Sequence, residues 1–237
     1  MIDQNKVKAF WDARAKTYES LAFESIANLE QDSENLQLKI QLETRKVGEF
    51  LGSVSGMTVL DLGAGVGQWA FRFAEAGARS VMAVEYSKPL AEIGEAEALR
   101  RGFDTVRFKV SAAEDFSTET PYDLVFISGL FVYMNDDQAE RLVARLHCFC
   151  HDRTKVLLRD GTALVSRHEI NDRMSEHLQT RYSATYRTRQ EYTDLFARHG
   201  LVLLRDEDVF DEGCPLNKYP ETRLRIYHFE PDLQCQR

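Results

Sequence analysis

Hydrophobic positions recur along this chain with two periods, and the change from one to the other divides it. Over residues 3–52 they fall at helical spacing, with Phe10, Trp11, Tyr18 and Leu21 on one stripe. Leu36, Leu38, Ile40, Leu42, Val47, Phe50 and Leu51 make a second. No proline interrupts this segment and glycine enters only near its end, so it is expected to be helical. From residue 57 short apolar runs take over, at 57–62, 80–85 and 106–110, and each reads as a strand. Helical patterns fill 68–77 and 88–101 between them. Gly77 suits a helix stop, and Ser87-Lys88-Pro89 a helix start, where the missing proline N–H removes no helical hydrogen bond. Strand, helix, strand, helix at this spacing predicts a parallel sheet with right-handed crossovers.

The second half continues the pattern with one interruption. Tyr122-Asp123-Leu124-Val125-Phe126-Ile127-Ser128 reads as a central strand whose Asp123 serves the structure at its start, and residues 136–150 as a helix. Lys155 to Leu158 gives a fifth strand, closing on Arg159-Asp160-Gly161. Residues 162–187 then hold neither Gly nor Pro and are too long for a plain connection, which predicts a partly helical insertion over the site. Thr188-Arg189-Gln190-Glu191 is a capping box that starts a helix carrying Tyr192, Leu195 and Phe196 on one face, with Gly200 as its stop. Residues 201–205 and 223–229 read as the last two strands.

Composition narrows the function classes. With 237 residues, 43% of them hydrophobic and 29% charged, one folded domain is expected. Net charge of −8 gives no footprint for a phosphate backbone, so nucleic acid is a poor partner. No apolar run approaches the ~20 residues that span a bilayer, and the first residues lack the apolar core of a signal peptide. The expectation is a cytoplasmic protein with no membrane partner, for which a homodimer is admissible. Cys148, Cys150, Cys214 and Cys235 show no metal-ligand spacing; Cys148 and Cys150 fall in an apolar helical pattern, where core packing is favoured over metal binding. No metal is expected.

The chemistry starts at the first strand. Val59-Leu60-Asp61-Leu62 closes on three glycines at every second position, Gly63, Gly65 and Gly67, before the next helix begins. Glycine is required where backbone must take positive φ or approach a ligand closely. About 20 residues on, the second strand ends on Glu85, the separation at which an acid accepts hydrogen bonds from a ribose diol. A dinucleotide fingerprint would set its third glycine one residue later, where Gln68 stands. Together these residues resemble the class I S-adenosylmethionine-dependent methyltransferases, of the small-molecule type.

The resemblance implies an α/β fold, a Rossmann-like three-layer sandwich. Its mostly parallel seven-stranded sheet has an antiparallel last strand, a helical N-terminal lid and a lid insertion after strand five. Residues 1–237 would form one methyltransferase domain, with 1–52 as lid, 53–160 as cofactor core, 161–188 as substrate lid and 189–237 as C-terminal helix and strands. The implied cofactor is S-adenosyl-L-methionine. Its candidate contacts are Asp61, Gly63, Ala64, Gly65, Gly67, Glu85 and Tyr86, with Ser128 and Leu130 after the fourth strand. Tyr18 would close over the methionine end, or only pack. In the adenine turn the family's acid aligns with Ala112, a departure that leaves Ala113 and Glu114 as candidates.

Phe131, Tyr133, Arg159, Tyr182 and Tyr186 are candidates for holding a small-molecule acceptor, with core packing favoured for one of Phe131 and Tyr133. Arg159, Arg173 and Arg187 leave an acidic or polar acceptor open. Methyl transfer is an in-line displacement on a donor already activated, so alignment matters most and a base serves only a protonated nucleophile. Asp160 and His168 are the candidates for that base; His199, beside Gly200, reads instead as a helix-end residue. The predicted activity is methyl transfer to N or O of a small molecule. Two other readings stand beside it: a catalytically inactive cofactor-binding subunit, to which Ala112 lends support, and an NAD-dependent oxidoreductase.

Overall fold

The computed structural model describes residues 1–16, 21, 23–175, 178 and 180–232. The N-terminal segment forms three helices, α1 (Gln4–Lys16), α2 (Phe23–Ile26) and α3 (Ser33–Leu51). The core then alternates β1 (Thr58–Leu62), α4 (Gln68–Glu75), β2 (Ser80–Glu85), α5 (Lys88–Arg101), β3 (Val106–Val110), β4 (Tyr122–Ser128) and α6 (Asp136–Arg145). After it come β5 (Cys150–Ala163), β6 (His168–Ser175), β7 (Thr180–Thr188), α7 (Arg189–Arg198), β8 (Leu201–Asp208) and β9 (Thr222–Pro231).

Strands β3, β2, β1, β4 and β5 lie side by side and parallel. β9 pairs antiparallel with β5 and with β8, so β9 runs against the parallel strands and β8, beyond it, runs in their direction again. This is the Rossmann-like α/β arrangement expected, with the antiparallel strand in its expected place. Alternation of side chains across the pleat sorts the core into two layers. Leu60, Leu62, Val125, Ile127 and Leu158 pack with Leu142, Tyr192 and Phe196 from α6 and α7. Val59, Leu124, Phe126 and Leu157 pack with Val47, Phe50, Trp69 and Phe73 from α3 and α4. At the carboxyl ends, the same alternation sends Asp61 and Arg159 to the α3 and α4 side and Asp160 to the other.

Three expectations are corrected. The insertion over 162–187 is a β-hairpin, with β6 and β7 antiparallel. Residues 180–188, Thr-Arg-Tyr-Ser-Ala-Thr-Tyr-Arg-Thr, are rich in β-branched and aromatic types, and both faces of β7 are covered: Ala184, Thr185 and Arg187 are buried. The hairpin is tied down where β7 meets β5 at Thr162 and Ala163, just past the end of β4. The predicted helix over 136–150 stops at Arg145 and ends in a 3-10 turn, Leu146–Phe149. Cys150 accordingly opens β5, and Cys148 is exposed, so the pair lies outside any buried helix. The other boundaries follow the local signals. Ser87 caps α5 with Pro89 in the first turn, Gly102 closes that helix, and the Thr188 and Glu191 capping box starts α7. Asp123 accepts from the Thr58 amide at 2.7 Å and its hydroxyl at 2.9 Å, joining the starts of β1 and β4.

Candidate functional site

The carboxyl ends of β1, β2, β4 and β5 open into a cavity of ≈ 330 Å³, over which α1, residues 27–29, α3 and β7 close. An open parallel sheet places its ligand crevice there, because helix and loop connections diverge at that edge. The glycine turn forms one wall. Gly65 has φ 58°, and a Cβ on it would sit 2.8 Å from the Ala27 methyl. Its amide donates to Glu85 Oε2 at 2.9 Å, while Glu85 Oε1 accepts from the Ser87 amide at 2.8 Å. Burial pushes the Glu85 carboxyl up to about 7, against those amide bonds, which favour the anion. Asp61 is also raised to about 7, first by burial and then by the nearby Glu85 charge.

Two buried polar atoms on this wall have no hydrogen-bond partner among the described residues: Asp61 Oδ2 and the Tyr86 hydroxyl. Such atoms are rare in folded proteins and each is destabilising by about 1–3 kcal/mol, which a ligand bearing hydrogen-bond partners would offset. The residues present therefore fit a ligand with an ammonium group near Asp61 and hydroxyls near Glu85. The turn after β3 supplies the next stretch of wall. Ser111, Ala112, Ala113 and Glu114 line the cavity, and buried Glu114 accepts from Gln138 Nε2 at 2.9 Å.

Aromatic rings build the wall toward the hairpin. Trp11 meets Tyr133 edge to face at 5.3 Å between centroids, and the Tyr133 and Tyr182 hydroxyls lie 3.2 Å apart. Burial raises the hydroxyl pKa values of Tyr133, Tyr182 and Tyr186 far above the ordinary tyrosine value, so all three stay protonated. Asp160 supports this wall from behind. Its Oδ2 accepts from the Phe131 amide and its Oδ1 from the Gly161 amide, both at 2.7 Å, and burial brings the carboxyl up to about 6.

The α3 wall is charged. Arg159 donates to Ser128 Oγ at 2.7 Å and to Glu43, and its guanidinium faces the Trp69 ring at 5.8 Å. Lys39 donates to Asn28 Oδ1 at 2.8 Å. From α4, Gln68, Trp69 and Arg72 complete that side.

The cavity thus gathers Asp61, Gly63, Ala64, Gly65, Glu85, Tyr86, Ala112, Ala113, Glu114, Ser128, Leu130, Tyr133, Arg159, Asp160, Tyr182 and Tyr186 from the sequence-derived candidates. Three others lie elsewhere. Gly67 caps α4, where a Cβ would meet Phe108 Cζ at 2.5 Å, so its need for glycine comes from packing. Phe131 is fully buried against Tyr192 and Phe196 and belongs to the core. His168 lies on β6 with its ring 6.0 Å from Tyr186 and does not line the cavity. Tyr18 lies outside the described residues.

Two further side chains are accounted for by structure. Arg187 is buried and clamps the turn after β4, donating to the Phe131 and Met134 carbonyls at 2.8 and 2.9 Å. His199 ends α7 and meets Glu140 at 2.6 Å. Sequence reasoning missed Asn28, Lys39, Glu43, Trp69 and Arg72. One signal was present: Leu36, Ile40, Glu43, Val47 and Phe50 form a single helical stripe, and Glu43 is its one carboxylate.

Comparison with known proteins agrees with this geometry. Residues 59–152 match a family model described as a methyltransferase domain. Phosphoethanolamine N-methyltransferase 1 of Triticum aestivum is 29% identical over 151 residues, 61% of this chain and 28% of that protein. The cypemycin N-terminal methyltransferase of a Streptomyces species is 35% identical over 89 residues, 38% of this chain and 35% of that protein. The matches thus span about a third of the length of these curated relatives or less. Among solved structures, 1,6-didemethyltoxoflavin-N1-methyltransferase of Burkholderia thailandensis, determined with S-adenosylhomocysteine, superposes with a TM-score of 0.68. It is 19% identical, with 98% of this chain and 92% of that one covered. Residues 59–152 thus resemble the methyltransferase domain family, and the chain around them has the class I S-adenosylmethionine-dependent methyltransferase fold.

Proposed function

We propose that this chain transfers a methyl group from S-adenosylmethionine to nitrogen, or else oxygen, of a small molecule. The observation that carries the reading is the convergence of Glu85, the Gly65 turn and the unpartnered Asp61 Oδ2 on one cavity wall. When bound, the cofactor supplies an activated methyl group on a sulfonium. Asp61 accepts from the cofactor's ammonium group and Glu85 from its ribose hydroxyls, while Gly63, Ala64 and Gly65 admit its backbone. Tyr86, Ala112, Ala113, Glu114, Ser128 and Leu130 enclose the remainder. Across the cavity Tyr133, Tyr182, Tyr186 and Arg159 hold the acceptor. Tyrosine hydroxyls kept protonated by burial donate to it or accept from it, and Trp11 with α1 excludes water.

Asp160 acts as a positioning residue, holding the Phe131 and Gly161 amides and with them the turn that carries Tyr133. Among the described residues that line the cavity there is no histidine. This favours an amine, which needs no base once it arrives neutral, and the names of two of the relatives above specify methylation at nitrogen. The reading treats residues 1–237 as one domain with lids at 1–52 and 161–188, working in the cytoplasm, with a homodimer as its candidate assembly. No helix among the described residues is long and apolar enough to cross a membrane.

The test is incubation with methyl-labelled S-adenosylmethionine and parallel panels of amines and alcohols. Label transfer to a member of the amine panel is expected. Protein that binds the cofactor yet transfers label to neither class contradicts the reading.

A further inference from the structure

Beside the tyrosine wall, the α3 wall of the cavity has a separate character. Among the described residues, the charged groups that act on Lys39 are Glu43, Arg159, Glu30 and Lys218. Lys218 is paired with Glu30 at 2.6 Å, and Glu43 is committed to Arg159. That leaves Lys39 with the neutral Asn28 amide at 2.8 Å and Glu43 no nearer than 3.9 Å. Arg159 is 7% exposed, and its Nε has no partner among the described residues. Burial lowers the Lys39 pKa, the signature of an ammonium short of compensation.

Crowding a buried guanidinium with an unpaired N–H and a half-buried ammonium onto the single carboxylate of Glu43 is destabilising unless something anionic completes the set. Both Lys39 and Arg159 line the cavity. The other carboxylates around it do not fill the need. Asp61 lies two strands away on β1, and Asp160, next to Arg159, points through the sheet to the opposite face. Arg72 is occupied by Glu24 at 2.9 Å.

We propose that Lys39 and Arg159 form the subsite for an anionic oxygen group, carboxylate or phosphate, carried by the acceptor, on the α3 side of the cavity beyond Tyr133, Tyr182 and Tyr186. The inference rests on the methyltransferase reading and sharpens it. The acceptor is bipolar, with its nucleophile turned to the tyrosines and its anionic end to α3. Guanidinium and ammonium groups together suit oxyanions because both make charge-assisted hydrogen bonds, the guanidinium with fixed geometry.

The experiment is calorimetric titration of protein saturated with S-adenosylhomocysteine, using inorganic phosphate and acetate at pH 7 and constant ionic strength. Saturable binding of at least one anion is expected, and the two arms report whether the subsite prefers phosphate or carboxylate. Lys39→Met should weaken that binding tenfold or more, Lys39→Arg should retain it, and both should bind S-adenosylhomocysteine as the parent does. Lys39→Gln, which keeps a hydrogen bond to Asn28, carries the same expectation if the methionine variant does not fold. Absence of saturable binding for both anions overturns the proposal, as does parent-like anion binding by the methionine and glutamine variants. A tenfold loss of S-adenosylhomocysteine affinity in those variants also overturns it, because the pair would then serve the cofactor's own carboxylate. Failure of the parent to bind S-adenosylhomocysteine at all removes the cofactor reading, and the subsite falls with it.

Discussion

Lowering the pH from 8 to 6 loads protons onto the two carboxylates that the cofactor needs ionised. Asp61 and Glu85 are both raised by burial to about 7. An ammonium group near Asp61 and ribose hydroxyls donating to Glu85 favour the charged forms, so the complex holds fewer protons than the free protein at pH 6. Affinity must then fall as pH falls, and it must level off above 7. For one carboxylate at about 7 that is fully ionised in the complex, the dissociation constant rises about tenfold between pH 8 and pH 6, or roughly 1.4 kcal/mol. The two acids together set a larger limit, reduced because they repel each other and titrate as a pair. The assay is isothermal titration with S-adenosylhomocysteine in buffers of different ionisation enthalpy, which also counts protons. At pH 6 the account expects release of about one proton per carboxylate. Glu85→Gln removes one titrating group, and should weaken binding and flatten the pH dependence together. A dissociation constant unchanged within about twofold from pH 8 to pH 6, with no proton released, would refute the placement of both acids against the ligand.

The two glycines of the turn should separate binding from folding. Gly65→Val places a β-branched residue at φ 58° and drives its Cβ into Ala27, so measurable S-adenosylhomocysteine binding should vanish; retained affinity by calorimetry contradicts the cavity assignment. Gly67→Ala, at φ 84° and against Phe108, should lower stability in urea by about 1–2 kcal/mol or more, yet leave affinity within a few-fold; a stable variant that cannot bind would move Gly67 into the site. Arg187→Leu strips the buried Phe131 and Met134 carbonyls of their donor, which should destabilise the chain by about 2–4 kcal/mol in the same denaturation assay; an unchanged midpoint denies the clamp.

Much of this fold was legible because its signals are local. Asp61, the glycines and Glu85 lie within one strand-turn-helix-strand unit, where sequence separation and spatial position are tied together. The Thr188 capping box and the helix stops likewise depend on neighbours only. The hairpin at 168–188 was misread because a polar insertion without Gly or Pro shows length and little else; its pairing is set by contact with β5 and with the aromatic wall. Phe131 and Tyr133, two residues apart, illustrate the same limit. One packs on α7 and the other opens to the cavity, and only the turn held by Asp160 and Arg187 decides which. Lys39 and Glu43 were missed for a related reason. A helix far from the glycine motif reaches the site only through tertiary packing, although a carboxylate inside the apolar stripe of α3 was the available clue.

The most direct measurement is calorimetric titration of the purified protein with S-adenosylmethionine, S-adenosylhomocysteine and NAD in parallel. The account predicts saturable one-to-one binding of the first two and none of the third, since the cavity is built around Asp61 and Glu85 with no third glycine at the dinucleotide position. Binding of NAD alone, or of none of the three, would contradict it.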